Sequence, residues 1–320
     1  MGSVALLQKK ILYDTIYQVC NRYIDDYQST VVAELIVKAE MMGVSSHGLH
    51  YFLHSVLPLI KKGKTENIQI EQEGNLIHGN GCNSIGLVSA HVMIGAASKL
   101  AKKKGISIIL LKNPGKVGAL RLYCSDVTSQ GQLIMMMKNT APTMGTTKRF
   151  VGTNPLCIGI PDTPFVYDSS MATVATNKIR LQKKRGTDFD VVVGEDDVGR
   201  PTKNPEILLK EGHVYPFSKG DFWYKSFYLG VAIELMCAFA GGKTRNRVGD
   251  SRGNRLESKE GMIVFIVDKK VCQDYDAYLM EINQVLCEMT ENNLKIPGTI
   301  FKSDLEILGQ DLQSLQEELE

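Results

Sequence analysis

The chain of 320 residues contains 37 lysines and arginines, 35 aspartates and glutamates, and 43% hydrophobic residues. At roughly 150 residues per domain, this length fits one large domain or two ordinary domains. The formal net charge of +2 provides no broad basic face, which argues against nucleic acid as the main partner. Balanced charge and an ordinary apolar content also exclude a disordered chain.

No segment of the sequence predicts a membrane span or a secretion signal. The most apolar stretch, residues 226–242, carries Glu234 near its centre and is short for a span. The first residues lack a basic region followed by an apolar block and a cleavage site. Seven scattered cysteines form no CxxC pair, which is typical of reduced thiols. We therefore predict a cytoplasmic globular protein without membrane contact.

The first part of the chain predicts helices. Apolar side chains recur every three or four positions over residues 4–42, which predicts helix throughout this range. A polar turn bracketed by Gly43 and Gly48 follows, and a further helical pattern extends to Ile60. The mostly polar segment 61–74 then predicts a domain boundary.

From about residue 75 the pattern changes to short strand-like runs that alternate with helical stretches such as 87–104. The runs 105–111, 133–137 and 262–267 are apolar on both faces. Such runs are typical of strands that are covered on both sides, so this part predicts an α/β domain. Beyond it, residues 275–291 and an acidic tail from 303 onward show helical patterns, and the charges of the tail are expected to face solvent.

The sequence contains no strong nucleotide-binding motif. The glycine-rich segment 78–86 precedes a helix, but Ser84 stands where the third glycine of G-x-G-x-x-G belongs. No acidic residue follows at the distance of a ribose-binding group. The segment therefore favours a turn that starts the helix 87–104 over a Rossmann fingerprint.

Three of the six histidines lie close together in the sequence. His47, His50 and His54 are spaced by three and four residues, which would place them on one face of a helix. Neither cysteines nor a carboxylate cluster accompany them, so we predict no metal site and place His50 and His54 on a helix surface. His47 differs because it follows Ser46 in the glycine-bracketed turn, where an imidazole can donate a proton near neutral pH.

Several polar turns either bind a ligand or are purely structural turns, and the residues alone leave both interpretations open. They are the GTNP turn 152–155, the group Asp168-Ser169-Ser170 after an apolar run, and the turn 196–202. A basic cluster is similarly either a solvated segment or a site for a phosphate-bearing cofactor. It comprises Lys178, Arg180, Lys183, Lys184 and Arg185.

In their order and spacing these motifs resemble the malate/L-lactate dehydrogenase family, NAD(P)-dependent reductases without a Rossmann fold. The family's RGVDSHG stretch is similar to residues 42–48, its GTNP strand to 152–155, and its D-x-x-G-x-P-T turn to 196–202. A lysine-led apolar helix is similar to 225–234, and a late turn is similar to 297–298. The resemblance covers nearly the whole chain.

The resemblance implies an α/β fold, namely a mixed-sheet, non-Rossmann dehydrogenase fold with an additional helical domain. The helical domain would comprise residues 1–72 and be completed by carboxy-terminal helices within 275–320. Residues 73–274 would form the mixed-sheet cofactor-binding domain. The resemblance also implies a homodimer in which the cofactor, NAD or NADP, lies extended near the subunit interface.

The resemblance further implies roles for individual residues. His47 matches the acid that protonates the substrate during hydride transfer, and Ser46 and Asp196 match residues that flank and orient it. The cofactor-binding positions of the family correspond to Asp168, Ser169, Ser170, Tyr224, Lys225, Gly298 and Thr299. We add Lys178 from the basic cluster to this set as a phosphate contact.

Several positions depart from the family pattern, and three of them concern the substrate site. Tyr51 replaces the arginine that would clamp the substrate carboxylate, Lys116 replaces a histidine, and Arg121 replaces a glycine. Because tyrosine cannot make the bidentate contact of arginine with a carboxylate, we hypothesise that Lys116 or Arg121 supplies the missing positive charge. Tyr51, Lys116 and Arg121 are therefore our candidate substrate-binding residues.

The predicted function is NAD(P)H-dependent reduction of a small 2-oxo acid or a cyclic imino acid, with His47 as the proton donor. The alternative is a degenerate family member that binds a nucleotide or metabolite without catalysis, since the arginine at position 51 and the histidine at 116 are lost. A third interpretation is a repurposed reductase that acts on an unsaturated or imine intermediate.

Overall fold

The computed structural model describes residues 4–63, 67–218, 220–249, 259–298, 302 and 305–319. Within these ranges the chain forms fourteen strands and eleven α-helices. The strands are β1 (Val4–Leu7), β2 (Gln69–Glu73), β3 (Leu76–Asn80), β4 (Ile106–Lys112), β5 (Gln132–Lys138), β6 (Met144–Gly145), β7 (Arg149–Val151), β8 (Leu156–Gly159), β9 (Val166–Ser169), β10 (Gly194–Glu195), β11 (Pro201–Thr202), β12 (His213–Val214), β13 (Gly261–Asp268) and β14 (Leu305–Leu308).

The helices complete the mixed α/β architecture that the sequence predicts. They are α1 (Lys9–Asn21), α2 (Asp26–Met41), α3 (Leu49–Tyr51), α4 (Leu57–Lys61), α5 (Gly86–Lys104), α6 (Cys124–Thr128), α7 (Thr176–Arg185), α8 (Pro205–Lys210), α9 (Trp223–Phe239), α10 (Tyr275–Glu291) and α11 (Gly309–Glu317). A π-helical turn, Phe52–Val56, joins α3 to α4. No helix in the described ranges is both long enough and apolar enough to cross a membrane.

The strands form three sheets. The largest has seven strands in the order β2-β3-β4-β13-β5-β8-β9, and β3 and β4 are its one parallel pair. A five-stranded sheet has the order β11-β10-β12-β6-β7, and β1 pairs with β14. Parallel β3 and β4 are connected through α5, which packs on β4. The two larger sheets, each with one parallel pair, are therefore mixed, as the sequence predicts.

The seven-stranded sheet is covered on both faces, which confirms the reading of its apolar runs. Along β5, Ile134 and Met136 belong to the core shared with α5 and the amino-terminal helices. Met137, on the opposite face, belongs to a second core shared with Ile233 and Cys237 of α9. Alternate side chains of one strand thus enter two different cores.

The prediction of helix throughout residues 4–42 is wrong at its start. Val4–Leu7 form β1, which pairs antiparallel with Leu305–Leu308 of β14. A four-residue segment before α1 is too short to nucleate a helix alone, whereas pairing with a distant strand satisfies its backbone. The predicted helical tail likewise begins at Gly309, after β14, and not at residue 303.

The two ends of the chain therefore meet in one small sheet. The larger core also runs without a break from Leu12 and Ile16 of α1 to Ile109 of β4 and Leu315 of α11. The division into a helical domain of residues 1–72 with 275–320 and a mixed-sheet domain of residues 73–274 stays a prediction.

Candidate active site

A cavity of about 290 Å³ opens beside the amino-terminal turn Ser45–His47. The loop 116–121, the ends of β5 and β9, and the first part of α7 form the rest of its wall. Among the described residues, five lysines or arginines and two carboxylates line this cavity. Its size is at the lower end of small-molecule sites, and its excess of cations suits an anionic ligand.

The local sequence fixes the position of His47. Gly43 has a φ of +69° at the end of α2, a conformation that favours glycine. A Cβ atom at Gly48 would lie 1.9 Å from Oε1 of Glu40. The buried Glu40 carboxylate accepts a hydrogen bond of 2.8 Å from the backbone N–H of Leu49. The two glycines and Glu40 together hold the turn that presents His47 to the cavity.

His47 is half-buried in the cavity wall. Its Nδ1 lies 3.1 Å from the Ser46 hydroxyl oxygen, and its ring centroid lies 5.5 Å from that of Tyr51. Burial, and then the charge of Arg180, lower the pKa of His47 to about 4. The imidazole is therefore neutral at pH 7 in the free protein, with the Ser46 hydroxyl as its hydrogen-bonding neighbour.

Tyr51 lines the same cavity, where the family resemblance would place an arginine. Its hydroxyl oxygen accepts a hydrogen bond of 3.2 Å from the backbone N–H of Gly118. Burial raises the pKa of Tyr51 well above the ordinary value, so the phenol stays neutral. Tyr51 thus ties the loop 116–121 to α3 and provides no positive charge.

Lys116 faces a carboxylate in the cavity wall. Its Nζ lies 3.9 Å from Oε1 of Glu260, and the other Glu260 oxygen accepts a hydrogen bond from Lys138. The Lys138 and Glu260 side chains are only 6% and 4% exposed. Sequence reasoning missed this buried pair, although a lysine directly after the apolar run 133–137 signals a special position at the strand end.

Arg121 and Asp168 meet on another part of the wall. The Asp168 carboxylate accepts a hydrogen bond of 3.1 Å from the backbone N–H of Arg121. Burial raises the pKa of Asp168, while this hydrogen bond and the charge of Arg121 act against that rise. Ser169 and Ser170 follow at the end of β9, and all four residues line the cavity.

Helix α7 supplies two further cations to the cavity. Lys178 lines it with an exposed side chain, and Arg180 lines it close to His47, because α7 packs against the turn Ser45–His47. In the sequence, Arg180 belongs to the basic cluster 178–185 and was not predicted to lie at the substrate site. A charged residue two positions after Lys178 on a helix gives no sequence signal for this placement.

Several predicted site residues do not line this cavity. The Asp196 carboxylate accepts hydrogen bonds of 3.0 and 2.8 Å from the backbone N–H groups of Val198 and Arg200, so it stabilises its own turn. Tyr224 and Lys225 begin α9 and are exposed. Gly298 has a φ of +99° in a turn packed against β9. Thr299 lies outside the described residues.

The GTNP turn has a structural role in the fold. Asn154 is fully buried, and its amide donates hydrogen bonds of 2.7 Å to the Glu234 carboxylate and 2.8 Å to the Gly230 carbonyl. Both acceptors belong to α9. The turn therefore fastens the lysine-led helix to the start of β8, and Thr153 beside Asn154 reaches the cavity wall.

His50 and His54 belong to a separate ionic cluster. His50 Nδ1, His54 Nε2 and a carboxylate oxygen of Asp311 lie within 4.8 Å of one another, as ligands of a metal ion would. The Lys184 ammonium lies among them, 3.0 Å from His54 Nε2 and in contact with Asp311. The expectation that both histidines lie on the helix surface is wrong for His50, which is buried because α11 covers it.

Comparisons with known proteins identify the family. The family model described as malate/L-lactate dehydrogenase matches residues 15–300. The chain belongs to the malate/L-lactate dehydrogenase family. It is similar to an L-sulfolactate dehydrogenase of Methanothermobacter thermautotrophicus, with 26% identity over 87% of this chain and 83% of that protein. As a member of this family, the chain is an oxidoreductase.

Solved structures support the fold assignment of this malate/L-lactate dehydrogenase family member. A dehydrogenase from Sinorhizobium meliloti superposes with a TM-score of 0.86 at 21% identity, over 100% of this chain and 99% of that chain. A delta1-piperideine-2-carboxylate reductase from Pseudomonas syringae gives a TM-score of 0.81 at 19% identity, over 98% and 99%. The predicted α/β dehydrogenase fold is thereby confirmed.

Proposed function

We propose that this oxidoreductase reduces a small 2-oxo acid or a cyclic imino acid with NADH or NADPH, and that His47 donates the proton. The supporting observation is the cavity that holds His47 and Ser46 beside a wall rich in lysines and arginines. The similar proteins named above are dehydrogenases or reductases of sulfolactate and piperideine-2-carboxylate, and each of these compounds carries a carboxylate.

The residues at the end of β9 fit a dinucleotide cofactor. The hydroxyl groups of Ser169 and Ser170 donate hydrogen bonds of 3.1 and 3.0 Å to backbone carbonyls, which fixes their oxygen atoms at the cavity wall. Lys178 extends this wall with a positive charge suited to phosphate. We propose that these residues and Asp168 hold the nicotinamide part and its neighbouring phosphate. The bound cofactor would supply the hydride.

The protein then needs to provide a proton and to position the substrate. His47 lines the cavity and its Nδ1 lies 3.1 Å from the Ser46 hydroxyl oxygen, so Nε2 is the nitrogen that would donate the proton. The hydrogen bond between Gly118 and Tyr51 holds the loop 116–121 in place as one wall of the cavity. Lys116 or Arg121 would meet the substrate carboxylate, as the sequence analysis proposed, although each already faces an acidic side chain.

The test is a spectrophotometric assay with the purified protein. NADH or NADPH is mixed with a panel of 2-oxo acids and cyclic imines, and the reduced-nicotinamide absorbance is followed for the wild type and for His47→Ala. We expect turnover with one of the two cofactors and its loss in the variant. Absence of both turnover and cofactor-induced thermal stabilisation contradicts the proposed function.

The alternative function is binding of a nucleotide or metabolite without catalysis. The replacement of the family's arginine by Tyr51 favours it, since the buried phenol makes a structural contact in place of a substrate contact. Thermal stabilisation by NADH or NADPH without turnover on any member of the panel would support this alternative.

The rate of reduction should depend on pH through His47. Because its pKa is about 4 in the free protein, the protonated donor becomes scarcer as the pH rises above that value. We expect kcat/KM for reduction, which reports the free enzyme, to fall about tenfold per pH unit above about pH 5. Oxidation needs the neutral imidazole and should not show this fall.

Steady-state kinetics in both directions, with cofactor binding measured at each pH, check this expectation. A kcat/KM for reduction that stays constant from about pH 5 to 8 would assign proton donation to another group.

We also propose a homodimer formed through α9. Tyr228, Leu235 and Phe239 are 60%, 61% and 79% exposed and lie on one face of this helix. Exposed apolar groups of this kind mark interaction surfaces, and most soluble oligomers pair identical surfaces. Tyr224 and Lys225 at the start of the same helix would then lie at the interface. The seven free cysteines accord with a cytoplasmic location.

The double variant Leu235→Asp, Phe239→Asp should therefore be monomeric, because two carboxylates cannot be buried without partners. Analytical ultracentrifugation of both proteins measures the change in mass. Ile11→Asp, which alters a 51% exposed residue of α1, serves as the matched control and should not change the mass. A wild-type monomer, or a double variant that remains dimeric, would contradict the proposed interface.

A further inference from the structure

We propose that Arg180 of α7 binds the carboxylate of the substrate and thereby takes the place of the arginine that Tyr51 replaces. The inference rests on the proposed reductase function and concerns the same cavity. It assigns the specificity for a carboxylate to a residue in a different element from the loop that carries Lys116 and Arg121.

The geometry places Arg180 beside the proton donor. Helix α7 packs against the turn Ser45–His47, and Arg180 and His47 line one cavity. The guanidinium donates a hydrogen bond to the side-chain oxygen of Asn177, one turn earlier on α7, which also lines the cavity. This contact fixes the plane of the guanidinium, and a planar fork of N–H groups matches a carboxylate.

Arg180 differs from the other cations of the wall in its effect on His47. Lys116 and Lys138 lie against Glu260, and Lys116 is 3.9 Å from it. The charge of Arg121 lowers the pKa of Asp168, and the side chain of Lys178 is exposed. Among the described cations of the cavity, Arg180 is the one whose charge lowers the pKa of His47.

A carboxylate bound at Arg180 would also prepare His47 for its task. The negative charge would offset the effect of Arg180 on the imidazole and raise the pKa of His47 toward neutrality. Groups from the other elements of the wall also face the cavity, and they stay unchanged in this step. They are Tyr51 of α3, Lys116 and Arg121 of the loop, Lys138 of β5, Glu260 before β13 and Asp168 of β9. Substrate binding and protonation of His47 are thus coupled through Arg180.

The first experiment compares the best 2-oxo acid of the panel with its methyl ester. We expect Arg180→Met to raise KM for the acid by roughly tenfold to a hundredfold and to leave KM for the ester nearly unchanged. Arg180→Lys should restore part of the preference for the acid. Lys183→Met, which removes an equal charge from a half-exposed position on the same helix, should preserve that preference. An unchanged preference in Arg180→Met overturns the proposal.

The second experiment does not require turnover. Histidine-labelled protein is titrated by NMR with and without saturating pyruvate, and His47→Gln assigns the signal. We expect pyruvate to raise the pKa of His47 in the wild type and not in Arg180→Met. In addition, Arg180→Met alone should raise this pKa relative to the wild type.

The outcomes separate this inference from the proposed function. A response of His47 to pyruvate in a protein without reductase activity supports the role of Arg180 and removes the proposed function. The role of Arg180 is overturned if the wild type shows turnover but the pKa of His47 does not respond to pyruvate. It is also overturned if the main effect of Arg180→Met is weaker binding of NADPH.

Discussion

Replacing His47 with glutamine is expected to lower kcat for reduction by about 10²–10⁴-fold, the usual contribution of a positioned acid. Glutamine fills a similar volume and can accept a hydrogen bond from Ser46, but it cannot give up a proton. The affinity for the cofactor should change little, because the proposed cofactor contacts belong to β9 and α7. Stopped-flow measurement of the hydride step, together with titration of cofactor binding, checks both expectations.

His78→Gln is the matched control, since His78 of β3 is exposed and does not line the cavity. Its kcat should equal that of the wild type. Unchanged melting temperatures in both variants would show that folding is intact. If His47→Gln retained more than about a tenth of the wild-type rate, His47 would have no role as the proton donor.

The sequence could identify His47 because its signal is local. Gly43 and Gly48 bracket the turn, and the structure shows that each is required, one by its φ and the other by the approach of Glu40. The strands of the large sheet were predictable for the same reason. A run such as that of β5 carries the apolar pattern of both faces within seven residues.

Features that depend on distant parts of the chain could not be predicted in this way. Val4–Leu7 show an apolar pattern compatible with a helix, and only the partner strand Leu305–Leu308 makes them a strand. The surroundings of His50 are set by Asp311, which lies at the other end of the sequence. Periodicity reports which face of an element is apolar, but not which element covers it.

The candidate site shows the same limit. The family resemblance directed attention to the loop with Lys116 and Arg121, and both residues do line the cavity. The packing of α7 against the turn Ser45–His47 brings in Arg180 as well. The motif around Tyr51 shows that the arginine is absent, but it does not show which residue of another helix would provide the positive charge. Only the three-dimensional structure can indicate that residue.

The buried carboxylate of Asp311 is expected to contribute strongly to the stability of the fold. Asp311→Asn is expected to lower the free energy of unfolding at pH 7 by about 3–5 kcal/mol. The Asp311 side chain is only 3% exposed and contacts Lys184, His50 and His54. Asparagine would leave the Lys184 ammonium without its carboxylate partner in a largely buried position. Urea denaturation of both proteins measures the difference.

The same cluster predicts how this difference depends on pH. Burial alone would raise the pKa of Asp311, but the nearby His50 and His54 imidazoles and the hydrogen bond from Lys184 hold it well below its usual range. A carboxylate with a lowered pKa stabilises the fold above its unfolded pKa of about 3.9, and this contribution is lost as the pH falls through the folded value. The difference between wild type and Asp311→Asn should therefore be constant near neutrality and shrink below about pH 4.

Glu306→Gln provides the control, because Glu306 also forms an ion pair with a lysine, Lys302, but the two side chains are 62% and 43% exposed. Solvent screening limits such a pair to about 1 kcal/mol or less. Adding Lys184→Met to Asp311→Asn removes the unpaired ammonium and should recover part of the lost stability. If it recovers nothing, the cost of Asp311→Asn comes from the packing of α11 and not from a buried, uncompensated charge.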